Sequence, residues 1–398
     1  MEIFVSYLLA VSAGLLAIPV AIFFLEVAAA FALPHRDPKD HKSSYRRGRI
    51  AVLVPAHNES KGLLPTVADI QQQLLPGDRL LVVADNCTDD TTDVALAAGA
   101  LVAERHDLSK HGKGYALEFG LCHLDSDPPE IVIVIDADCR LADDTINRLA
   151  AVCTMTRRPV QALYLMTTPD DSRINHQVAE FAWRVKNWLR PLGLSALRLP
   201  CQLMGTGMAF PWDVIRRADL ANEWLVEDLK LGLDLASGGH PPVFCPEARV
   251  TSQFASTAEG TKTQRNRWEQ GHIHTILTSL PLFWTAIARR NWGSLALTLD
   301  LAVPPLSLLG ILAVGMFLVT GLAALFGISS AALVISAVSV VAFFLAAFLA
   351  WLKCGRTVLP LGALLLVAPY ALGKLGLYLS VLSNKMDARW IRTDRTKS

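Results

Sequence analysis

Two carboxylates spaced two apart, Asp136 and Asp138, follow directly on an apolar run from Ile131 to Ile135. In extended geometry residues i and i+2 point the same way, so a buried strand would deliver both acids at its carboxyl end. Oxygens placed like that suit a hard divalent cation, Mg²⁺ or Mn²⁺, which binds through one or two carboxylates and completes its shell with phosphates. A helix cap with solvent-facing acids is the plainer alternative, against which the buried Ile-Val-Ile-Val-Ile lead-in argues. Far downstream, Glu227-Asp228 follows Trp224-Leu225-Val226 and opens a helical stretch, Leu229 to Ala236. A carboxylate at a helix amino end is held in its charged form and can serve as a base at neutral pH, although capping alone also accounts for the pair. Gln264-Arg265-Asn266-Arg267-Trp268 adds a guanidinium fork matched to phosphate oxygens and an indole face on which a ring can rest.

Two further turns carry polar groups. Pro55-Ala56-His57-Asn58-Glu59 ends the first strand candidate in a turn suited to a nucleoside, and Asp85-Asn86-Cys87-Thr88-Asp89-Asp90-Thr91 ends the second. There Asp85 can accept from a base or ribose, while Asp89 or Thr88 serves as a helix cap. His111-Gly112-Lys113-Gly114 offers a basic side chain and free amides to a diphosphate, without forming a Walker loop.

These residues need a scaffold that brings them to one edge. Strand candidates Ile50 to Val54, Leu80 to Ala84 and Ile131 to Ile135 alternate with helical stretches Lys61 to Leu75, Thr91 to Ala98 and Gly114 to Leu124. Such alternation predicts an α/β fold with a parallel sheet, ligands gathering at the carboxyl ends of the strands. Asp143 and Asp144 read as caps of the next helix. The 398 residues are 52% apolar and carry a net charge of +1, so nucleic acid is not an expected partner. Seven scattered cysteines show no paired spacing, which predicts free thiols in a reducing compartment, with Cys139 packed beneath the site.

The mean hydropathy of +0.36 comes from the two ends of the chain. Residues 4 to 25 are long enough to cross a bilayer, and Arg36, Lys39, Lys42, Arg46, Arg47 and Arg49 after them predict a cytoplasmic flank. Three more spans are predicted over residues 296 to 326, 330 to 352 and 357 to 382, with Pro304-Pro305 kinking or delaying the first. Three crossings would put the basic tail, with Lys385, Arg389, Arg392, Arg395 and Lys397, outside, against the charge rule, so one segment is expected to be re-entrant or interfacial. Residues 176 to 199, with Trp183 and Trp188 among basic residues, read either as a helix in the headgroup layer or as a packed domain-surface helix; residues 273 to 290 repeat the theme. Asp300 is expected near the cytoplasmic end of the first of these three spans, and Lys374 is the one charge deeper inside an apolar span.

In order and spacing, Asp85, Asp136-Ala137-Asp138, Val226-Glu227-Asp228 and Gln264-x-x-Arg267-Trp268 resemble the motifs of membrane-integrated family 2 glycosyltransferases, the group of cellulose, hyaluronan and poly-N-acetylglucosamine synthases and ceramide glucosyltransferase. The resemblance covers about residues 50 to 270. It implies a GT-A-type nucleotide-sugar-binding domain with a mostly parallel central sheet, plus transmembrane and interfacial helices. Pro55, Glu59, Asp85, Lys113, Asp136, Ala137, Gln264 and Arg267 would bind the donor, a nucleoside-diphosphate sugar with UDP favoured, and Asp138 would hold Mg²⁺ or Mn²⁺. Asp228 would be the general base of a single inverting displacement, and Glu227, Trp268, Gly205 and Thr206 would line the acceptor site. The implied division is an amino-terminal transmembrane helix (1–33), a cytoplasmic catalytic domain (48–272), an interfacial helix (273–293), transmembrane helices (294–383) and a basic tail (384–398). The protein would be multi-pass in the inner (plasma) membrane among its lipids, extending a polysaccharide; transfer of one sugar to a lipid acceptor is the alternative. The gating-loop pattern Phe-x-Val-Thr-x-Lys of the cellulose synthases is not evident after Trp268. A membrane protein that binds nucleotide sugars without turning them over is a third reading, and a binding module needs no base.

Overall fold

In this computed structural model the described residues are 2–33, 47–168, 174–221, 226–254 and 258–382. The basic flank from Arg36 to Arg46, Trp224-Leu225 and the basic tail lie outside them. An eight-stranded sheet runs in the order β3-β2-β1-β4-β7-β6-β8-β5. Its parallel half contains β1 (Ile50–Ala56), β2 (Arg79–Asp85), β3 (Leu101–Arg105) and β4 (Ile131–Val134), and β6 (Val160–Thr167) also runs parallel to β8 (Val243–Gln253). Three antiparallel pairings bring in β7 (Met208–Pro211) and β5 (Arg140–Leu141).

β1, β2 and β4 are near-continuous apolar runs because both of their faces are covered. Alternate residues feed two cores. Val52, Val54 and Ile133 face α2 (Leu64–Gln71) and α5 (Thr145–Thr156) through Val67, Ile70, Ile146 and Leu149. Leu53, Leu81, Val83 and Val132 face α4 (Lys113–Leu124) and α9 (Glu227–Ser237) through Leu117, Leu121, Leu231 and Leu235. The register pairs Val54 with Val82 and Leu53 with Val134, so Pro55, Asp85 and Asp136 reach the same edge of the sheet. The helix predicted over 61 to 75 begins as a 3₁₀ turn, Ser60–Leu63, before α2, and α3 spans Thr91–Ala97. Asp89 caps α3 by accepting from the Thr91 amide at 3.1 Å, whereas Asp144 pairs with Arg148 at 3.1 Å and its side chain caps nothing.

Among the described residues, four helical segments are long and apolar enough to cross a membrane: Glu2–Ala32, Leu306–Leu325, Ser330–Gly355 and Leu361–Leu379. The first is α1. The predicted span 296 to 326 is corrected to begin after Pro304-Pro305, which separates α12 (Trp292–Leu301) from α13 (Leu306–Leu325), and α12 packs Leu297 and Leu301 on Val226 and on Leu229 and Leu233 of α9. α14 (Ser330–Ala350) lies against α1 through Phe343 and Phe23. The last segment breaks into a 3₁₀ turn, Leu361–Leu366, then α15 (Val367–Leu372) and α16 (Leu375–Leu382). Residues 273 to 290 end α10 (Ala258–Thr278) and form α11 (Leu280–Ala288), leaving Leu277, Leu280, Trp284 and Ile287 exposed.

The segment over 176 to 199 is helical as α6 (Ile174–Arg184), a π turn (Val185–Leu189) and α7 (Arg190–Ala196). Phe181, Val185 and Leu189 pack on Val20, Phe23 and Val27 of α1. Gly193 lets α7 touch α1, since a Cβ there would stand 1.9 Å from the Glu26 carbonyl oxygen. Arg190 is buried against two acids from other elements, Glu26 of α1 and Asp300 of α12, each at 2.6 Å.

Candidate active site

The strand ends, α9, α10 and the π turn enclose one cavity of about 1580 Å³. Its wall includes Pro55, Glu59, Asp85, Lys113, Asp136, Ala137, Asp138, Gly205, Glu227, Asp228, Gln264, Arg267 and Trp268, thirteen of the fourteen expected site residues. Thr206 is the exception. It is wholly buried and does not line the cavity: its hydroxyl accepts the Asp136 amide at 3.0 Å, so it braces the carboxylate strand from below instead of facing an acceptor.

At one end Asp85 closes β2. Arg105 of β3 donates to its Oδ1 at 2.5 Å, and the His57 ring donates through Nδ1 to its carbonyl at 2.7 Å, so the carboxylate is held rigid toward the cavity. Arg105 is itself buried and also donates to the Lys110 carbonyl, both bonds at 3.1 Å.

In the middle, Asp136, Asp138 and Cys139 bring potential ligand atoms within 4.8 Å of one another. The two carboxylates fit a hard cation by their oxygen chemistry; the Cys139 thiol, which burial pushes well above its ordinary pKa, does not. The Lys113 ammonium pairs with Asp136 and donates to the Gly205 carbonyl at 2.6 Å. Burial is the largest influence on Lys113 and lowers its pKa, but Asp136, Glu227 and Asp228 together carry it above the usual value, so it stays charged. Gln161, fully buried, ties down the loop that supplies Gly205: it accepts the Met204 amide at 2.8 Å and donates to the Thr206 carbonyl at 2.9 Å. Gly207 makes that turn possible, with φ +66° and no room for a Cβ, which would meet Ala162 at 2.8 Å and Val250 at 2.9 Å.

Opposite stands the start of α9. The Asp228 Oδ1 accepts the Leu229 amide at 2.9 Å, and its Oδ2 faces Gly205, where a Cβ would lie 3.5 Å away. Burial raises the Asp228 pKa, held back by the ammonium groups of Lys186 and Lys113. Burial, then the neighbouring Asp228, pushes Glu227 up to about 7. Burial thus pushes both acids toward the neutral form, an effect countered at Asp228 by Lys186 and Lys113 and at Glu227 by Lys113.

Trp268 does not stand alone. Its ring lies 4.8 Å from that of Trp183, which sits edge-on to Tyr164 at 5.5 Å and donates from Nε1 to the Tyr164 carbonyl at 3.2 Å. Trp183 is thus part of the cavity wall and not a headgroup anchor, which corrects the interfacial reading for that residue. Trp188 packs instead beside the cluster formed with α1. Sequence reasoning also passed over Lys186, Arg190, His272 and Asp300, which line the same cavity. Burial lowers the Lys186 pKa, and His272, buried and bonded through Nε2 to the Leu301 carbonyl at 3.1 Å, is depressed to about 3 and stays neutral. The π turn is the signal that could have exposed Lys186, but such a turn is not encoded in an amphipathic pattern.

The family model described as "Glycosyltransferase like family 2" matches residues 47–271. The chain is 26% identical over 275 residues to the probable glycosyltransferase YdaM of Bacillus subtilis (strain 168), covering 64% of this chain and 62% of that protein. It therefore spans about three-fifths of that relative's length. It is 29% identical over 208 residues to the uncharacterized glycosyltransferase Rv0539 of Mycobacterium tuberculosis, covering 49% of this chain and 89% of that one. Among solved structures it resembles the mannosyltransferase PcManGT of Pyrobaculum calidifontis, with a TM-score of 0.53 and 17% identity over 95% of this chain and 100% of that one, a likeness of fold.

Proposed function

The chain belongs to the family 2 glycosyltransferases, and from that premise we propose that it is an inverting, metal-dependent membrane enzyme that moves a sugar from a nucleoside diphosphate to a growing polysaccharide. The carrying observation is that Asp85, Asp136 with Asp138, Asp228, and Gln264 with Arg267 and Trp268 come from four distant stretches and border one cavity. Asp85 takes the nucleoside end and Lys113, Gln264 and Arg267 the diphosphate. Asp138, with Asp136 beside it, would hold Mg²⁺ or Mn²⁺, which supplies charge neutralisation to the departing diphosphate. Asp228 takes the proton of the acceptor hydroxyl as that oxygen attacks the anomeric carbon in line, and the glycosidic bond to the diphosphate breaks. The paired indoles of Trp268 and Trp183 floor the acceptor, with Glu227 and Gly205 beside it.

UDP-sugars are the first donors to test. The Pyrobaculum enzyme is described in complex with GDP-Man and Mn²⁺, so a guanosine donor stands beside them. The apolar segments support a multi-pass inner-membrane enzyme related to the cellulose and hyaluronan synthases, its catalytic domain (48–272) cytoplasmic, residues 273–293 interfacial, and the helical segments Glu2–Ala32, Leu306–Leu325, Ser330–Gly355 and Leu361–Leu379 in the bilayer. A second reading, transfer of one sugar to a lipid, is favoured by the part of the cavity wall formed by Arg190 and Asp300, since Arg190 pairs with Glu26 of the apolar helix α1. Incubating the full chain in lipid nanodiscs with labelled UDP-glucose, UDP-N-acetylglucosamine and GDP-mannose, then sizing the product, decides between them. A ladder supports polymer extension and one discrete glycolipid the lipid acceptor; release of no sugar from any of the three would sink the donor assignment.

A further inference from the structure

Glu269 follows Trp268 on α10, and both of its oxygens are engaged by the last apolar segment of the chain. The Lys374 ammonium pairs with Oε1, and the Tyr378 hydroxyl donates to Oε2 at 3.0 Å. With its proton given to Glu269, the Tyr378 oxygen accepts from the Ser307 hydroxyl of α13 at 2.6 Å. Glu269 and Lys374 each keep only 16% of their side-chain surface exposed. Lys374 stands at the break between α15 and α16, with its ammonium 4.9 Å from the centre of the Tyr370 ring, and Tyr378 follows it by four residues on the same face.

We propose that this network is a latch by which the terminal apolar segment positions the helix bearing Gln264, Arg267 and Trp268; the proposal rests on the transferase reading of those three side chains. A charge inside an apolar segment is costly, and its retention with a full set of partners marks a role. Glu269 is the only acid that both of those donors reach among the described hydrogen bonds, and it is one residue from the indole that meets Trp183 at 4.8 Å. Glu269, Lys374 and Tyr378 are therefore positioning residues, acting on substrate only through α10. Loosening α10 would displace Arg267 where leaving-group charge develops, so the loss falls on kcat more than on the donor KM. A displacement of about 1 Å is enough for a loss on the order of 100-fold.

The test uses the full chain in nanodiscs and two readouts. Hydrogen exchange needs no substrate: Lys374→Met is expected to speed exchange of the amides of residues 264–278 while those of β1, β2 and β4 keep the wild-type rate. Turnover of whichever of UDP-glucose, UDP-N-acetylglucosamine and GDP-mannose the wild type uses should fall at least about tenfold in kcat. Lys374→Arg should restore most of both, and the exchanged pair Glu269→Lys with Lys374→Glu should recover part, because the Tyr378 oxygen accepts as well as donates. Unchanged exchange across α10 in Lys374→Met, or equal behaviour of Lys374→Met and Lys374→Arg, overturns the latch. If the wild type uses none of the three sugars, the donor reading fails and the exchange data still decide the latch.

Discussion

Asp228→Asn isolates the chemical step from the fold. The asparagine oxygen can still accept the Leu229 amide that Asp228 Oδ1 holds at 2.9 Å, so the start of α9 survives. Losing a negative charge at a helix amino end costs about 0.3–1 kcal/mol, and relief of carboxylate burial offsets it, so stability should move by no more than about 1 kcal/mol. The variant lacks the group able to take the acceptor proton. General base catalysis is worth roughly 10²–10⁴-fold, or about 3–5 kcal/mol in the barrier. Nucleotide affinity should stay near wild type, since Asp85, Lys113 and Arg267 are untouched. Asp228→Glu keeps the base and shifts it by about one bond length, and a misplacement of about 1 Å also costs on the order of 10²-fold. The measurement is initial-rate turnover with the donor found by screening, beside equilibrium binding of the matching nucleoside diphosphate. If Asp228→Asn turns over within tenfold of wild type, or loses binding and turnover in parallel, Asp228 is not the base.

Three other perturbations read neighbouring groups. Glu227 is raised from 4.5 to about 7 by burial, so the native state binds more protons between those values and stability falls as pH rises through that window, remaining low above it. Glu227→Gln should therefore match wild type near pH 4 and exceed it at pH 8, by at most about 3 kcal/mol given that the residue borders an open cavity; equal unfolding midpoints at both pH values would contradict this. Lys186→Met removes a cation that holds the Asp228 pKa down, so the acid limb of kcat/KM should move to higher pH, with turnover lost most at low pH; a parallel loss at all pH values would show that Lys186 acts otherwise. Arg190→Met leaves Glu26 and Asp300 buried without their cation, at a cost of about 3–5 kcal/mol in thermal unfolding; a change under 1 kcal/mol would mean that the three charges are not coupled.

The legibility of each site residue depends on where its signal is encoded. Asp136 and Asp138 stand out because a strand buried on both faces must be continuously apolar, so the first acids after it mark its end. The register of β1, β2 and β4 then carries Pro55 and Asp85 to the same edge, as the alternation of strands and helices implies. Thr206 is misread from sequence because a hydroxyl in a glycine turn looks the same whether it faces a ligand or braces an amide, and only the 3.0 Å contact with Asp136 separates the two. The broken spans are foreseeable at Pro304-Pro305 but not at Gly373-Lys374, where the partner of the lysine lies 105 residues away.

The helical stretch from Ile174 to Ala196 shows why the hardest residues to read are those joining the two halves. Its pattern of aromatic and basic residues is that of a helix at a lipid surface, apolar toward acyl chains and charged toward water. In the structure the same two-sidedness serves two protein surfaces. Phe181, Val185 and Leu189 meet α1, while Trp183, Lys186 and Arg190 line the cavity. The π turn at Val185–Leu189 inserts one extra residue into the helix and rotates the residues of α7 relative to those of α6. An amphipathic pattern reports only that two faces differ in polarity, and a water-filled cavity and bulk solvent select the same side chains. A cavity wall built on the back of a helix that packs on α1 is therefore hidden from sequence by the same physics that makes the helix visible.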